Sequence, residues 1–176
     1  VIAAVKDDAG LCSALANENI RVVFVLYGDI CNIASIVRRI HEAGRFAVVH
    51  VDLIAGLAGK EVAVDFIRNT TEADGIISTR SGCIHAAREA GITCIQRFFM
   101  VDSRSVSTAL ESIRQTRPDM IELLPGIAYK AITRMASETA IPVIAGGLIE
   151  TKEEIYKALG AGAAAISTGS RELWEM

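Results

Sequence analysis

The sequence has few aromatic residues, few prolines and no long apolar run. Aromatic residues make up 5% of the chain, so a surface that stacks exposed bases on aromatic rings is not indicated. With only three prolines, a disordered proline-rich segment is not indicated either. No run approaches the roughly 20 apolar residues that span a bilayer, and the N-terminus lacks the order of a signal peptide. The composition therefore predicts a cytoplasmic protein with an aliphatic core and no membrane partner.

Paired cysteines and clustered histidines are also missing. The four cysteines are widely spaced and contain no CxxC pair: Cys12, Cys31, Cys83 and Cys94. They lie in aliphatic surroundings where a small thiol packs well, so we expect all four to be buried and reduced. His41, His50 and His85 are too scattered to supply zinc-like spacing. We therefore expect neither a metal site nor a cofactor.

Length and composition limit the number of domains. The chain has 176 residues, of which 51% are hydrophobic and 22% charged, enough for one sizeable core. No break in composition marks a linker, and we expect one domain over residues 1–176. The first residue is Val1 rather than Met and already belongs to an apolar run, so we expect further chain before it.

Short apolar segments alternate with amphipathic ones along the whole chain, a pattern that predicts eight strands separated by helices. The predicted strands are residues 1–5, 21–28, 46–52, 75–79, 93–98, 120–126, 142–147 and 163–169. Helical stripes appear at Ile33, Ile36, Val37 and Ile40 and again at Val106, Leu110 and Ile113.

Local signals mark where helices begin and end. The segment "TKEE" at 151–154 has the spacing of a capping box, with Thr151 as the N-cap and Glu154 three residues later. An Ala-Gly pair precedes three of the predicted strands, at Gly44, Gly91 and Gly162, and is typical of a helix C-terminus.

Strands that are apolar on both faces and alternate with helices indicate a parallel sheet with helical crossovers. Eight such units predict a single (β/α)8 TIM barrel, small for this fold and with a truncated last helix in "RELWEM". The alternative is an open doubly wound sheet, but the first turn reads "VKDDAG" and not GxGxxG.

The last two strands both end on glycine and predict a phosphate site. In barrels of this kind, phosphate is often held by the loops after strands seven and eight. Backbone amides at Gly146, Gly147 and Gly169 can approach an anion closely, and Thr168 and Ser170 add hydroxyl donors. A helix beginning near residue 171 would direct its positive end to the same place. The alternative is that these glycines only make tight turns.

Other polar residues follow the predicted strand ends and form a candidate ligand-binding set. Its members are Lys6, Asp52, Arg80, Arg97, Glu122 and Gly126. A carboxylate is almost never buried unpaired, so we expect Asp52 to have Lys6, Arg97 or a ligand hydroxyl as its partner. Glu122 interrupts an apolar strand and needs a partner for the same reason, and for each carboxylate a structural ion pair is an equal alternative. Arg97 lies within an apolar stretch and is favoured over Arg80 as the cation. His50 is interpreted as a core histidine, within hydrogen-bonding reach of Asp52.

The motifs "HVDLIAGL", "DGIISTR", "IQRFFMVDS", "IELLPG", "PVIAGGLIET" and "LWE" resemble, in order and across nearly the whole chain, the glycerol-3-phosphate-responsive antiterminators that regulate bacterial glycerol uptake operons. The resemblance implies a non-enzymatic barrel that binds glycerol 3-phosphate and acts on leader mRNA so that transcription passes a terminator. The positions that match these motifs are Asp52, Arg80, Arg97, Glu122, Gly126, Gly146, Gly147, Thr168 and Ser170.

RNA binding usually leaves a basic footprint, whereas this chain has a net charge of −3. The best basic segment is the second helix and its exit, with Arg38, Arg39, His41 and Arg45, although a solvated helix face explains it equally well. We expect the ligand to stabilise either the loops at the barrel mouth or a homodimer in a form that binds RNA. The alternative function is a barrel enzyme, such as an isomerase, lyase or phosphodiesterase, acting on a small phosphorylated substrate with Lys6 in an acid/base role.

Overall fold

The computed structural model describes residues 1–176 as eight strands and seven α-helices that alternate along the chain. The strands are β1 Ile2–Val5, β2 Val22–Val25, β3 Phe46–His50, β4 Gly75–Ser78, β5 Thr93–Phe99, β6 Met120–Leu124, β7 Val143–Gly146 and β8 Ala165–Thr168. The helices are α1 Asp8–Ala16, α2 Ile33–Glu42, α3 Glu61–Thr70, α4 Ser81–Glu89, α5 Ser103–Thr116, α6 Tyr129–Glu138 and α7 Lys152–Gly160. Two short 3-10 helices complete the fold, Val51–Leu53 after β3 and Arg171–Glu175 after β8.

The strands form a closed parallel barrel in sequence order, with β1 paired to both β2 and β8. This confirms the predicted (β/α)8 barrel and excludes the open sheet. All strands run in one direction, so their C-terminal ends and the loops that follow them form one face of the molecule, the mouth. Lys6, Asp52, Arg80 and Gly126 follow strand ends on this side, whereas Arg97 and Glu122 lie within β5 and β6.

The barrel interior is filled by an aliphatic layer below a polar one. This lower layer contains five aliphatic residues and one phenylalanine, all buried: Ile2, Phe24, Val48, Ile77, Ile95 and Ile144. Outside the barrel, a larger apolar cluster packs α1 to α4 against β1 to β5, and a second packs α5 to α7 against β6 to β8. The two predicted helical stripes are buried in these clusters. The rigid wall that results fixes the position of the residues at the mouth.

Most local signals are confirmed. Thr151 and Glu154 form the predicted capping box at the start of α7. Gly44, Gly91 and Gly162 follow helix ends with positive φ angles of 69°, 71° and 106°. The segment after β8 is a five-residue 3-10 helix and does not form an α-helical turn.

The prediction for the cysteines is half wrong. All four are free, but only Cys83 and Cys94 are buried. Cys12 lies on the outer side of α1 and Cys31 in the loop before α2, so the aliphatic neighbours along the sequence do not cover them. No helix is both long enough and apolar enough to cross a bilayer.

The capping box gives a direct stability prediction. Replacing Thr151 by Ala leaves the Glu154 amide without its side-chain acceptor, and we expect the free energy of unfolding to fall by about 1 kcal/mol. Urea denaturation monitored by circular dichroism measures the change. Thr108→Ala on α5 is the control, because that exposed threonine caps nothing and its replacement should change stability by less than about 0.5 kcal/mol. Equal losses in the two variants would contradict the assignment.

Candidate functional site

The mouth of the barrel contains a cavity of about 980 Å³. Its walls come from the ends of β1, β5, β6, β7 and β8 and from the loops that follow them. Seven of the predicted site residues line it, with Arg97 at the floor. The other six are Lys6, Glu122, Gly147, Thr168, Gly169 and Ser170. The structure therefore brings together most of the residues that were predicted from strand ends.

The floor of the cavity is a buried network centred on the Glu122 carboxylate. Arg97 Nε donates to Glu122 Oε2 at 2.6 Å, and Ser167 Oγ donates to Glu122 Oε1 at 2.5 Å. Glu122 is 1% exposed, Arg97 8% and Ser167 2%. Arg97 and Glu122 are register partners on β5 and β6, so the ion pair is built directly into the barrel wall. A structural ion pair, one of the two predicted alternatives for Glu122, is thus present.

Arg97 retains unused hydrogen-bonding capacity. Its Nε atom is the only guanidinium nitrogen with an acceptor in the protein, so both terminal nitrogens remain unpaired. Both terminal nitrogens are at least partly exposed to solvent. Because Arg97 lines the cavity, both can be reached from it. The floor therefore offers several N–H donors to whatever occupies the space above it.

Gly146 lies where this network crosses β7. A Cβ atom at this position would overlap the Ser167 hydroxyl and would stand 2.6 Å from Glu122 Oε1. Ser167 is the register partner of Gly146 on β8, and Glu122 reaches it from β6. The protein's own side chains are therefore sufficient to require glycine at this position. The predicted phosphate role of Gly146 therefore has a competing structural reason.

The amides of Gly147 and Gly169 form the rim of the cavity. Neither N–H has an acceptor in the protein, and both residues are exposed and line the cavity. Gly147 has a φ of +75°, a conformation that side chains rarely adopt, and its carbonyl accepts from the Gly126 amide at 2.8 Å. Two unused donors thus lie after adjacent strands, as a bound oxyanion requires.

The hydroxyl donors predicted beside these amides are partly occupied. Thr168 Oγ1 donates to the carbonyl of Ile149 at 2.9 Å and accepts from the Ser170 amide at 3.1 Å. The carbonyl of Thr168 accepts from the Trp174 indole at 2.9 Å. Thr168 therefore orders the loops after β7 and β8, and its predicted donation to phosphate would require one of these bonds to break. The Ser170 hydroxyl has no protein partner.

Three predicted ligand residues lie outside the cavity. Asp52 accepts from Ser78 Oγ at 2.8 Å and from the amide and hydroxyl of Thr79 at 2.7 and 2.8 Å. Burial alone raises the pKa of Asp52, but these bonds together hold the pKa below its ordinary value. Arg80 is largely exposed, with its Nε 3.9 Å from Asp52. Gly126 is buried against the loop after β7, where its amide donates a hydrogen bond to the carbonyl of Gly147.

His50 is buried as predicted, but it does not bond to Asp52. Strand β3 ends at His50 and the chain turns into a 3-10 helix, so the alternation that would place the two side chains on one face no longer applies. Its Nδ1 atom is buried without a partner. Burial and the nearby Arg97 charge lower the pKa of His50 to about 4, although the charge of Asp52 acts in the opposite direction.

The predicted RNA-binding arginines lie on the outer wall, away from the mouth cavity. Arg39 pairs with Asp8 at 2.5 Å, and Arg45 donates to the Asn17 carbonyl at 3.3 Å. Arg38 is exposed on α2 and makes no ion pair or side-chain hydrogen bond within the protein. Of the three arginines, only Arg38 has a guanidinium group without a partner in the protein. The role of all three in RNA binding stays a prediction.

Sequence reasoning missed Ser167, which completes the floor. A signal for it existed, because Ser167 directly precedes the predicted Thr168 and Gly169 at the end of a buried strand, where a hydroxyl group needs a hydrogen-bond partner. The predicted partners of Asp52 were Lys6, Arg97 or a ligand hydroxyl, and the actual ones, Ser78 and Thr79, come from the neighbouring strand end.

Comparison with known proteins identifies a family and close structural relatives. The family described as glycerol-3-phosphate responsive antiterminator matches residues 1–174. A crystal structure of a glycerol uptake operon antiterminator regulatory protein from Listeria monocytogenes str. 4b F2365 superposes with a TM-score of 0.95 at 34% identity, covering 99% of this chain and 94% of that one. An antiterminator-related protein from Thermotoga maritima MSB8 gives 0.88 at 35% identity, covering 99% and 97%. YgcP of Escherichia coli K12 is 44% identical over 176 residues, which is 100% of this chain and 92% of YgcP.

Gly146→Ala tests the crossing at β7. The added methyl group must displace Ser167 or Glu122, and we expect the free energy of unfolding to fall by about 1–3 kcal/mol in urea denaturation. Gly160→Ala is the matched control, because a Cβ at this last residue of α7 meets nothing within 4 Å and alanine favours helix. An unchanged stability for Gly146→Ala would contradict the packing described here.

The buried histidine predicts a pH dependence. The folded-state pKa of about 4 lies below the ordinary value of about 6.5, so unfolding takes up a proton as the pH falls through this interval. The contribution of neutral His50 to the free energy of unfolding is therefore fully present above pH 6.5. As the pH falls toward 4, protonation of His50 in the unfolded chain lowers the free energy of unfolding by up to about 3 kcal/mol. We expect His50→Gln to flatten the decline in unfolding free energy between pH 7 and pH 5. His85→Gln, on the surface, is the control; parallel curves for wild type and His50→Gln would rule out this contribution.

Proposed function

The chain belongs to the family of glycerol-3-phosphate responsive antiterminators, and from this premise we propose that it is a regulator of a glycerol uptake operon. In this proposal, glycerol 3-phosphate binds in the mouth cavity, and the bound protein acts on leader mRNA in the cytoplasm so that transcription passes a terminator. The observation that carries the ligand half is the pair of unused amides at Gly147 and Gly169, which line one cavity after adjacent strands.

The phosphate is proposed to lie on these two amides, with Lys6 as an available cation. Lys6 lines the cavity and forms no ion pair in the protein, so its ammonium group is free to meet an anion. Glu150 and Glu172 also line the cavity, so the mouth is not a strongly positive surface. Short-range donation from fixed amides, which needs no rearrangement on binding, must therefore supply most of the attraction.

The arrangement favours a regulator over an acid/base enzyme. The enzyme alternative needs Lys6, Asp52 and Glu122 to act on one substrate, but Asp52 lies outside the cavity and accepts three hydrogen bonds from Ser78 and Thr79. The Glu122 carboxylate is held by Arg97 and Ser167 at the floor. Groups that are fixed in this way serve binding better than proton transfer.

Exposed apolar side chains on the mouth loops support a coupling between ligand and partner. They follow five different strands and are Ile30, Leu53, Phe99, Val101, Ile127 and Leu148, with exposed fractions from 37% to 83%. Leu53 and Leu148 also line the ligand cavity. Apolar groups at such positions are typical of surfaces that contact another molecule or another copy of the chain. A ligand that orders these loops, or a dimer formed through them, would shift the protein toward its RNA-binding form by the difference in affinity between the two forms.

Isothermal titration calorimetry with glycerol 3-phosphate tests the ligand half. We expect saturable binding to the wild-type protein, and we expect Gly147→Asp to lower the affinity at least about 100-fold because it places a carboxylate beside the phosphate. Gly44→Asp is the matched control, since Gly44 also has a positive φ, with nothing within 4 Å of an added Cβ, but follows α2 away from the cavity. Wild-type protein that shows no binding at millimolar ligand would refute this half of the proposal.

A gel-shift titration with the leader RNA of a glycerol uptake operon tests the RNA half. We expect glycerol 3-phosphate to tighten RNA binding and Arg38→Ala to weaken it in the presence of ligand, since Arg38 is the free cation of the predicted basic segment. Glu42→Ala on the same helix is the control for a change of surface charge. RNA affinity that does not respond to the ligand would contradict the switch.

A further inference from the structure

We propose that Arg97, Glu122 and Ser167 form a second subsite at the cavity floor that reads the hydroxyl groups of a short polyol phosphate and so determines ligand specificity. This inference rests on the proposed function, because it takes the phosphate to lie on the rim amides. It assigns to the buried network a role beyond the stability of the barrel.

The terminal nitrogens of Arg97 have no hydrogen-bond acceptor within the protein. The residue is only 8% exposed, yet both terminal nitrogens lack an acceptor in the protein while Nε is paired with Glu122. These nitrogens are open to the cavity, where water can pair with them, and a ligand oxygen that displaces this water meets donors already oriented by the bond between Nε and Glu122. A buried guanidinium that faces a cavity with unpaired N–H groups is therefore suited to a ligand that brings oxygen acceptors.

The charge balance of the floor limits which ligand group can bind there. Arg97 and Glu122 neutralise each other, so the floor as a whole carries no net charge. A second carboxylate or phosphate placed there would be a buried anion without a counter-charge, which is strongly unfavourable. A hydroxyl group avoids this cost, and it can accept from Arg97 while donating to an oxygen of Glu122 or Ser167. The floor thus favours neutral hydroxyls over a second acidic group.

The floor and the rim are separated by about the length of a small ligand. Ser167 at the floor lies on β8, and Gly169 at the rim is the first residue after that strand. Two residues of extended chain span about 6.6 Å, or about 5 Å along the axis of a barrel with tilted strands. A three-carbon polyol phosphate has five bonds between its phosphorus and its far hydroxyl oxygen and spans about 6 Å when extended. One such molecule reaches both subsites, whereas inorganic phosphate reaches only the rim.

Calorimetry with two probes, glycerol 3-phosphate and n-propyl phosphate, tests the subsite. The probes share the phosphate and the three carbons and differ in the hydroxyls. For the wild-type protein we expect glycerol 3-phosphate to bind at least about tenfold more tightly, the effect of hydrogen bonds to a charged partner. Arg97→Lys keeps the charge next to Glu122 but replaces the planar guanidinium fork by a single ammonium group, which cannot pair with Glu122 and also place donors where the two terminal nitrogens stand. We expect the preference to fall to about twofold or less. The affinity for n-propyl phosphate should stay within about threefold of the wild-type value, because the rim is unchanged.

Arg134→Lys is the matched control. Arg134 also donates through Nε to a glutamate, Glu138 at 2.7 Å, but on the exposed face of α6. We expect this variant to keep the full preference for glycerol 3-phosphate. If Arg97→Lys does not give a cooperative thermal transition, Ser167→Ala carries the same readout and is expected to reduce the preference as well.

The possible outcomes separate the two proposals. A wild-type protein that binds both probes equally would overturn the hydroxyl subsite and leave the phosphate site intact. An Arg97→Lys or Ser167→Ala variant that retains the wild-type preference would also overturn the subsite and show that the floor is structural only. If the wild-type protein binds neither probe, the proposed function and this inference both fail.

Discussion

The buried carboxylate of Glu122 is the constraint on which the mouth of the barrel depends. A carboxylate that is 1% exposed inside a barrel must be fully paired, and breaking such a pair typically costs about 3–5 kcal/mol. Arg97 on β5 and Ser167 on β8 supply its two donors, so a single charge ties together strands on both sides of β7. The strand between them can pass only if it carries no side chain at the crossing, which is why Gly146 stands there.

This network sets the chemical character of the cavity above it. Below the floor, an aliphatic layer closes the barrel to water. Above it, the cavity has a polar but electrically neutral base and a rim of unused backbone amides. The same hydrogen bonds that satisfy Glu122 orient Arg97 so that its terminal nitrogens remain available. Stability and recognition therefore share one set of contacts, and the ion pair that sequence reasoning weighed against ligand contact is compatible with both.

Much of the architecture follows from patterns that are local in the chain. All eight predicted strands are present, because apolar runs bounded by glycines and capping signals are short-range features that the barrel does not override. Side-chain partners are not local. Asp52 was expected to bond with His50, Lys6 or Arg97, but a 3-10 turn after β3 redirects it to Ser78 and Thr79. Cys12 and Cys31 were expected inside, but Cys12 lies on an exposed face of α1 and Cys31 in the exposed loop before α2.

The two glycines at the end of β7 also show that side-chain contacts between distant strands cannot be read from the local sequence. From sequence they form a single candidate phosphate site, yet the structure gives them different tasks. Gly146 makes room for two side chains from other strands, a requirement visible only once register is known. Gly147 supplies a positive φ and an amide without an acceptor, which is the part of the prediction that the geometry supports.

A crystal structure of the protein soaked with glycerol 3-phosphate tests the central claim most directly. The account predicts phosphate oxygens within about 3 Å of the amide nitrogens of Gly147 and Gly169, with at least one ligand hydroxyl at a similar distance from a terminal nitrogen of Arg97. A ligand with its phosphate on the Arg97 guanidinium, or bound outside the barrel mouth, would contradict it.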